Sequence, residues 1–381
     1  MTGIEDTLTY KAAEVLAYEY PQHDAELKEA LFDIIKKLKE PIIYHVLGSG
    51  RSAAEIISYL ANAVTRDYNT YDTESVPAGA LRDIVLSSNG PIMITPSWIN
   101  LPMNTDDCYV TAKLLLGPKK VELFTTHKYA YLDLEGLPIH QKVHTLTGSD
   151  INRFRDLING DCRDLKESYE EGIKFLAKQG VRPMDIELRD TIRERLATLV
   201  IKEFHAYGKD SKLRLFHLAD RLTPVLTQHL VGAGLRIDWV PRELGENYVF
   251  KEKAEPLVSI IEWALDNAAY IPMAIPLVHH DAIVIPVNSK DLYVSVGVMM
   301  GGTKITFFGF PKVLPLTKTL YPAYSWSCSM TDRTSSCGSY DPDAIVRTLE
   351  EKIAELMTKE EAELNEAGEL VNEMLRGGGK K

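Results

Sequence analysis

Apolar residues follow two spacings along this chain, one typical of helices and one typical of short buried strands. Helical spacing predicts helices over 25–40, 52–64, 104–116, 153–179 and 185–205. Apolar runs of strand length, bounded by turn residues, predict strands at 42–47, 68–72, 91–97, 120–126 and 140–146. Strands and helices therefore alternate through the first part of the chain. Such alternation favours a parallel, doubly wound sheet.

The pattern restarts in the second half. Strands are predicted at 212–218, 235–240, 280–286 and 302–308, and helices at 220–232, 254–269 and 343–376. Laid side by side, the strands pair as 42–47 with 213–218, 91–97 with 281–287, and 120–126 with 302–308. We therefore expect an α/β protein of two tandem, doubly wound parallel-sheet units of flavodoxin-like type with connecting helices.

The expected domain boundaries follow from this arrangement. They are N-terminal helices over 1–40, a first unit over 41–150, a helical linker over 151–207, a second unit over 208–320, and a loop with a C-terminal helix over 321–381. Within the last segment, 321–342 is rich in polar and aromatic residues. Long loops of this kind serve either as functional loops or as belts around a sheet.

Composition narrows the class of protein. The 381 residues are 45% hydrophobic and 25% charged, which is ordinary for a soluble globular protein. A net charge of −11 argues against a general nucleic-acid surface. No apolar run approaches the roughly 20 residues of a membrane helix, and the N-terminal segment does not resemble a signal peptide. The four cysteines form no C-x-x-C pair, so we expect reduced thiols, no zinc site and a cytoplasmic location.

A glycine-rich turn is the strongest candidate for chemistry. It comprises Gly48, Ser49, Gly50, Arg51 and Ser52, between the predicted strand 42–47 and the predicted helix 52–64. A strand, a glycine turn and a helix place free backbone N–H groups at a helix N-terminus, where the helix dipole favours an anion. The hydroxyls and the guanidinium are suited to completing a phosphate site, although a tight turn without a ligand has the same pattern.

The same turn fits a second pattern. Gly48, Gly50 and Ala53 match the G-x-G-x-x-A spacing of dinucleotide-binding proteins, and Asp72 and Glu74 follow about 20 residues later, where an acid contacts the ribose. A nicotinamide-dependent oxidoreductase is therefore an alternative. Arg51 and Ser52 favour a terminal phosphate over a pyrophosphate.

The chain resembles the sugar isomerase (SIS) family, double-SIS type, which includes phosphoglucose/phosphomannose isomerases and the isomerase half of glucosamine-6-phosphate synthase. The resemblance rests on three stretches, Val46–Ser52, Asp72–Pro77 and Ile92–Ser97. It implies a phosphorylated sugar as ligand, Thr95 and Ser97 as further phosphate contacts, a homodimer or higher homo-oligomer, and no metal or redox cofactor. The chain departs from the family at 95–105 and at Phe216–Thr223, where no Gly-Ser turn is present.

Aldose–ketose isomerisation requires a base that moves a proton between neighbouring carbons. Glu74 and its counterpart Glu243 are the carboxylate candidates, and His280 is the candidate for ring opening. The alternatives are ordinary surface acids, ion pairs with Arg82 or Arg242, and a histidine that packs at a strand start. The expected function is a sugar-phosphate isomerase. The alternatives are a non-catalytic sugar-phosphate sensor or assembly protein, and the oxidoreductase.

Overall fold

The fold was analysed on a computed structural model. It describes residues 2–3, 9–10, 13, 25–49, 78–90, 92–94, 98–115, 120–182, 186–232, 236–251, 254–268, 276–278, 282–314, 324–329 and 340–377. No helix among these residues is long and apolar enough to cross a membrane.

The first unit is an antiparallel sheet with helices before and after it. Its elements are β1 (Thr2–Gly3), α1 (Ala25–Ser49), α2 (Ala78–Leu86), β2 (Met93–Ile94), β3 (Trp98–Pro102), β4 (Cys108–Leu115), β5 (Lys120–His127), β6 (Gln141–Leu146) and α3 (Phe154–Lys178). Strands β2 to β6 are hydrogen-bonded in chain order as a five-stranded meander. Helix α3 packs on β5.

Five helices of the described residues lead into the second sheet. The elements are α4 (Leu188–Glu203), α5 (Lys209–Asp220), α6 (Thr223–Val231), α7 (Trp239–Leu244), α8 (Glu255–Asp266), β7 (Leu277–Val278), β8 (Ala282–Pro286), β9 (Leu292–Met299), β10 (Lys304–Pro311), β11 (Val313–Leu314), β12 (Tyr324–Ser329) and α9 (Pro342–Gly377). A π-helical segment, Gly245–Val249, continues α7. The second sheet has the order β7-β8-β9-β10-β12 and is also antiparallel, while β11 pairs with β1.

The two sheets are structural repeats, and their turns match residue by residue. In the turn between β3 and β4, Asn104 Oδ1 accepts a 3.0 Å hydrogen bond from Val110 N. In the turn between β8 and β9, Asn288 Oδ1 accepts a 3.1 Å bond from Val294 N. Identical residues at matching positions include Pro102 and Pro286, Asn104 and Asn288, Asp107 and Asp291, Tyr109 and Tyr293, Val110 and Val294, and Lys128 and Lys312. The two halves share these residues because both form the same turn. Asn side chains stabilise such turns through hydrogen bonds of this kind.

Each unit contributes a helix to the other unit's sheet. Helix α1 contacts α2 and β2 in the first unit and β8, β9 and β10 in the second. Helix α6, which precedes the second sheet, contacts β4 and β5 of the first and β7 of the second. One hydrophobic cluster accordingly joins Leu31 and Ile34 of α1 to Val284 and Phe310 of the second sheet. This exchange ties the two units together through their cores.

The structure corrects the predicted fold class. The ladders of both sheets are antiparallel throughout the described strands, so these units are not doubly wound parallel sheets. The predicted alignment of the two halves was also out of register with the structure. In the structure, β3 corresponds to β8 and β5 (Lys120–His127) corresponds to β10 (Lys304–Pro311). Two strands of the meander, β4 and β9, were not predicted, and β4 lies where a helix was expected.

Four predicted elements were wrong for related reasons. Residues 42–47 and 212–218 lie in helices α1 and α5, and 104–116 contains strand β4. Within 235–240, residues 236–240 contain no strand, and helix α7 begins at Trp239. A short apolar run fits a buried helix as well as a buried strand, so spacing alone did not decide between them. Helix α1 also continues through Pro41, which removes only one intrahelical hydrogen bond.

Other elements were predicted correctly. The helices over 153–179, 185–205, 220–232, 254–269 and 343–376 are confirmed, with ends that differ by a few residues. The strands over 120–126, 140–146, 280–286 and 302–308 are confirmed as β5, β6, β8 and β10. The predicted helix 52–64 and strand 68–72 lie outside the described residues.

Candidate thiol site

The residues proposed from the sequence fall in different parts of the structure. Gly48 and Ser49 are the last residues of helix α1, so they do not form the predicted strand-to-helix turn. The remaining candidates lie outside the described residues, namely Gly50, Arg51, Ser52, Glu74, Thr95, Ser97 and His280. Only Glu243 is described with its side chain.

Glu243 bonds to the hairpin that joins β9 and β10. Its Oε2 accepts a 2.8 Å hydrogen bond from Gly301 N and another 2.8 Å bond from Asn247 Nδ2. Nearby, the hydroxyl of buried Tyr248 lies 2.7 Å from Met299 O and 3.0 Å from Lys304 O. Glu243 and Tyr248 thus hold the π-helical segment against this hairpin.

Two cysteines meet between the first sheet and its covering helix. Cys108 is the first residue of β4 and is completely buried, and Cys162 lies midway along α3 and is partly exposed. The two thiols are close enough that each shifts the pKa of the other. Thr105 Oγ1 lies 3.6 Å from Cys162 Sγ. We call Cys108, Cys162 and Thr105 the thiol site.

The repeated turn positions Thr105. Its hydroxyl oxygen accepts a 3.0 Å bond from Cys108 N, and Thr105 N donates a 2.9 Å bond to Cys108 O. These bonds are the ordinary turn-forming bonds of threonine. Because the hydroxyl is already an acceptor of the Cys108 N–H, its own proton is available to the Cys162 sulfur.

The surroundings shift the pKa values of the two thiols in opposite directions. The hydrogen bond from Cys108 is the largest influence on Cys162, and it lowers the pKa of Cys162 to about 7 against the opposing effects of burial and of the nearby carboxylates of Asp161 and Asp107. The same bond, followed by burial, raises the pKa of Cys108. At neutral pH Cys162 therefore has more of the thiolate, the nucleophilic form, than an ordinary cysteine, whereas Cys108 stays protonated.

Ion pairs flank the thiol site on both sides. Asp161 is an acidic residue on the sheet-facing side of α3, and it is only 5% exposed. Its Oδ2 is 2.9 Å from His144 Nε2. Lys142 lies 3.6 Å from Asp161 and bonds to Asp164. On the other side, Lys166 Nζ is 3.1 Å from Asp107 Oδ2. The interface between α3 and the first sheet is thus polar where a hydrophobic core would be sufficient.

The matching positions of the second unit show which side chains are sufficient for packing alone. Leu292 stands where the first unit has Cys108, and the covering helix α9 places Ile353 beside it and Gly309. A buried cysteine is often no more than a small apolar residue. However, the second unit fills the matching place with aliphatic side chains, so the fold does not need two thiols there. Cys108 is thus replaced by an aliphatic residue at the matching position of the second unit.

A metal site is not indicated at this position. Among the residues that the structure describes, no group of three or more histidine, cysteine, aspartate or glutamate side chains is arranged to hold an ion. The thiol site has two sulfur atoms and one hydroxyl within reach of each other, which suits thiol–disulfide exchange.

Comparisons of the chain with protein-family models, with curated proteins and with solved structures give no match in any of the three. The functional inference therefore rests on geometry and chemistry.

Sequence reasoning missed the thiol site. Cys108 and Cys162 are far apart in the chain and form no recognisable motif, and 104–116 was predicted to be a helix. Their contact depends on strand β4 lying under helix α3, which spacing does not reveal. The signal that was available is the repeated Pro-x-Asn-Thr/Ser-x-Asp segment, which marks where Cys108 replaces Leu292.

Proposed function

We propose that this chain is a thiol–disulfide redox protein whose reacting pair is Cys108 and Cys162. The observation that carries the proposal is that Thr105 joins the two cysteines, with its hydroxyl oxygen 3.6 Å from Cys162 Sγ and bonded to Cys108 N, while Cys162 is partly exposed and Cys108 is buried. This arrangement gives one thiol that an oxidant can reach and a second thiol positioned to complete a disulfide.

The reaction with a small disulfide such as glutathione disulfide balances in two steps. The Cys162 thiolate attacks one sulfur of glutathione disulfide, so a mixed disulfide forms and a glutathione thiolate leaves. The Cys108 thiol then loses its proton and attacks the Cys162 sulfur, which releases the second glutathione. The protein loses two electrons, and glutathione disulfide gains them. The mixed disulfide carries no charge on Cys162, so the largest of the influences that raise the pKa of Cys108 is removed at that stage, while burial remains.

The product would join β4 to α3. Because these elements lie at the two sides of the first unit's core, the disulfide would fix the covering helix to the sheet. We therefore expect the redox state to change the stability and exposure of α3, which is the means by which the protein would report oxidation.

Two matched double variants test the pairing. Cys328→Ser/Cys337→Ser keeps only Cys108 and Cys162, and Cys108→Ser/Cys162→Ser keeps only the other two cysteines. After exposure to glutathione disulfide, peptide mapping by mass spectrometry should find a Cys108–Cys162 disulfide in the first variant. The proposal is wrong if the first variant keeps two free thiols while the second one is oxidised.

The sugar-phosphate isomerase, the sugar-phosphate sensor and the dinucleotide oxidoreductase stay predictions from the sequence. Their residues are mostly those outside the described ranges, and the antiparallel sheets remove the fold on which the family resemblance depended. A thermal-shift screen with sugar phosphates, free phosphate, NAD and NADP tests all three, because a ligand that binds the folded state raises the melting temperature.

A further inference from the structure

An exposed hairpin stands out from the first sheet between β5 and β6. Leu134 at its tip is 89% exposed, and Tyr131 and Ile139 on its sides are 49% and 52% exposed. We call residues 131–139 the knob.

The knob has a defined structure. Asp133 Oδ1 accepts 2.8 Å bonds from Glu135 N and from Leu137 N, and Ile139 N donates a 2.8 Å bond to Tyr131 O. Gly136 takes a positive φ of 84°, and a Cβ there would lie 2.7 Å from Ile237 Cγ2. Arg195 Nη2 of helix α4 donates a 2.8 Å bond to Leu134 O. The apolar tip is therefore preorganised, which reduces the entropy cost of binding.

An apolar groove lies between helices α4 and α5. Its volume is about 400 Å³, and it is lined by Ala197, Val200, Ile201, Leu213, Phe216 and two lysines, Lys209 and Lys212. Ile201 and Leu213 are 63% and 50% exposed. Small-molecule sites usually add convergent polar groups to an apolar lining. Here the lysines are the only polar side chains among the lining residues, so an apolar protein side chain with acidic neighbours fits better.

The charges of the knob and the groove are complementary. Asp133 and Glu135 flank Leu134 in the knob, and neither forms an ion pair with any residue that the structure describes. Lys209 and Lys212 lie beside the groove and likewise have no ion-pair partner within the described ranges. The knob thus presents one apolar side chain between two acidic residues, and the groove presents an apolar lining beside two lysines. The two surfaces are complementary in both respects.

We propose that the knob of one copy of this chain docks into the groove of a second copy, with Leu134 in the apolar lining and Glu135 facing Lys212. Each copy carries both halves of the contact. The association closes as a symmetric dimer or ring where the geometry allows it and otherwise extends as a chain of copies. The proposal is independent of the thiol chemistry.

Light scattering coupled to size-exclusion chromatography, over a range of protein concentrations, tests the association. The wild-type chain should exceed the monomer mass at high concentration. Leu134→Asp and Leu213→Asp should each weaken the association at least about tenfold, because a carboxylate would enter an apolar contact. The matched control is Leu86→Asp, since Leu86 is 46% exposed on α2, which contributes no residue to the knob or the groove. It should leave the mass unchanged.

Mixing and charge reversal make the test specific. Leu134→Asp chains keep an intact groove and Leu213→Asp chains keep an intact knob, so an equimolar mixture should form a dimer although neither variant associates alone. Glu135→Lys and Lys212→Glu should each weaken the association, and the double variant should restore it. A monomeric wild type at every concentration, or association that survives Leu134→Asp, would overturn the proposal, as would a mixture that stays monomeric.

Discussion

The thiol of Cys162 differs from an ordinary cysteine because a neighbouring thiol donates a hydrogen bond to it. Its sulfur is also within 3.6 Å of the Thr105 hydroxyl. These contacts stabilise the thiolate, the form that reacts. Cys162 and Cys108 should therefore differ in reactivity, although both are cysteines of the same protein.

That difference gives a pH-dependent prediction. In the Cys328→Ser/Cys337→Ser variant, alkylation of Cys162 by iodoacetamide should rise through a midpoint near pH 7, because the pKa of Cys162 is lowered to about 7. Cys108 should stay unmodified in the folded protein, since it is buried and its pKa is raised. Adding Cys108→Ala removes the side chain that donates to Cys162, and the midpoint should move upward. A midpoint near 8.5 in the parent variant would contradict the account.

His127 gives a prediction about stability. It is buried and stacks on Tyr169 with 4.9 Å between ring centroids, and burial lowers its pKa below the ordinary value of 6.5. Protonation therefore favours the unfolded chain. The stability that neutral His127 contributes is present above pH 6.5 and is lost as the pH falls toward the lower pKa of the folded state.

Chemical denaturation at pH 7.5 and pH 5.5 measures whether the free energy of unfolding depends on His127 in this way. His127→Phe keeps an aromatic ring in the stack and removes the titrating group, so the wild-type protein should lose more free energy of unfolding between these two pH values than the variant does. The hydrogen bond from Tyr129 N is lost at both pH values and cancels in the comparison. Equal losses in the two proteins would show that His127 does not titrate differently on folding.

At the scale of elements, the π-helical segment and the hairpin between β9 and β10 form one clamp. Tyr248 is buried, and its hydroxyl donates to the carbonyls that end β9 and begin β10. Tyr248→Phe should lower the free energy of unfolding by about 1–2 kcal/mol, because these part-buried carbonyls lose a donor. Tyr207→Phe is the control, since Tyr207 is 43% exposed and keeps its stack on Phe250. Equal effects of the two substitutions in urea denaturation would contradict the clamp.

Elements also show what the sequence can and cannot predict. Helix α3 has charged residues between its apolar positions, so its spacing was clear and its prediction was confirmed. Strand β4, with the sequence CYVTAKLL, is buried on both faces over most of its length. It therefore lacks the alternation of polar and apolar residues that marks a strand with one exposed face. The antiparallel order depends on pairing between such strands, and no local pattern specifies that pairing.

The candidate site was unpredictable for the same reason. Residues near one another in the chain suggested the phosphate turn, but Gly48 and Ser49 belong to a helix. The thiol site is assembled from a turn, a strand and a distant helix. Sequence spacing carries information about neighbours on one element and very little about contacts between elements.

The whole molecule is a duplicated unit whose copies exchange helices. Helix α1 lies on the second sheet and helix α6 on the first. Gln228 of α6 completes the junction, because its Nε2 donates a 2.7 Å bond to Thr111 of β4 and its Oε1 accepts from Asn104. Such reciprocal packing resembles a two-fold dimer whose subunits have been joined in one chain.

This organisation predicts that the two units unfold together. Differential scanning calorimetry should show one transition whose calorimetric and van't Hoff enthalpies agree. Gln228→Ala should lower its midpoint without splitting it, since it leaves the buried Thr111 hydroxyl without that donor. Two separate transitions would mean that the exchanged helices do not couple the units.

The most direct test of the central claim is a redox titration of the Cys328→Ser/Cys337→Ser variant in glutathione buffers, followed by intact mass after rapid alkylation. The account predicts a reversible two-electron transition to an internal Cys108–Cys162 disulfide, with a midpoint inside the span of cellular glutathione pools, about −180 to −320 mV. Two thiols that stay reduced at every buffer ratio would contradict the claim. So would a protein that only retains bound glutathione, because Cys108 would then have failed to displace it.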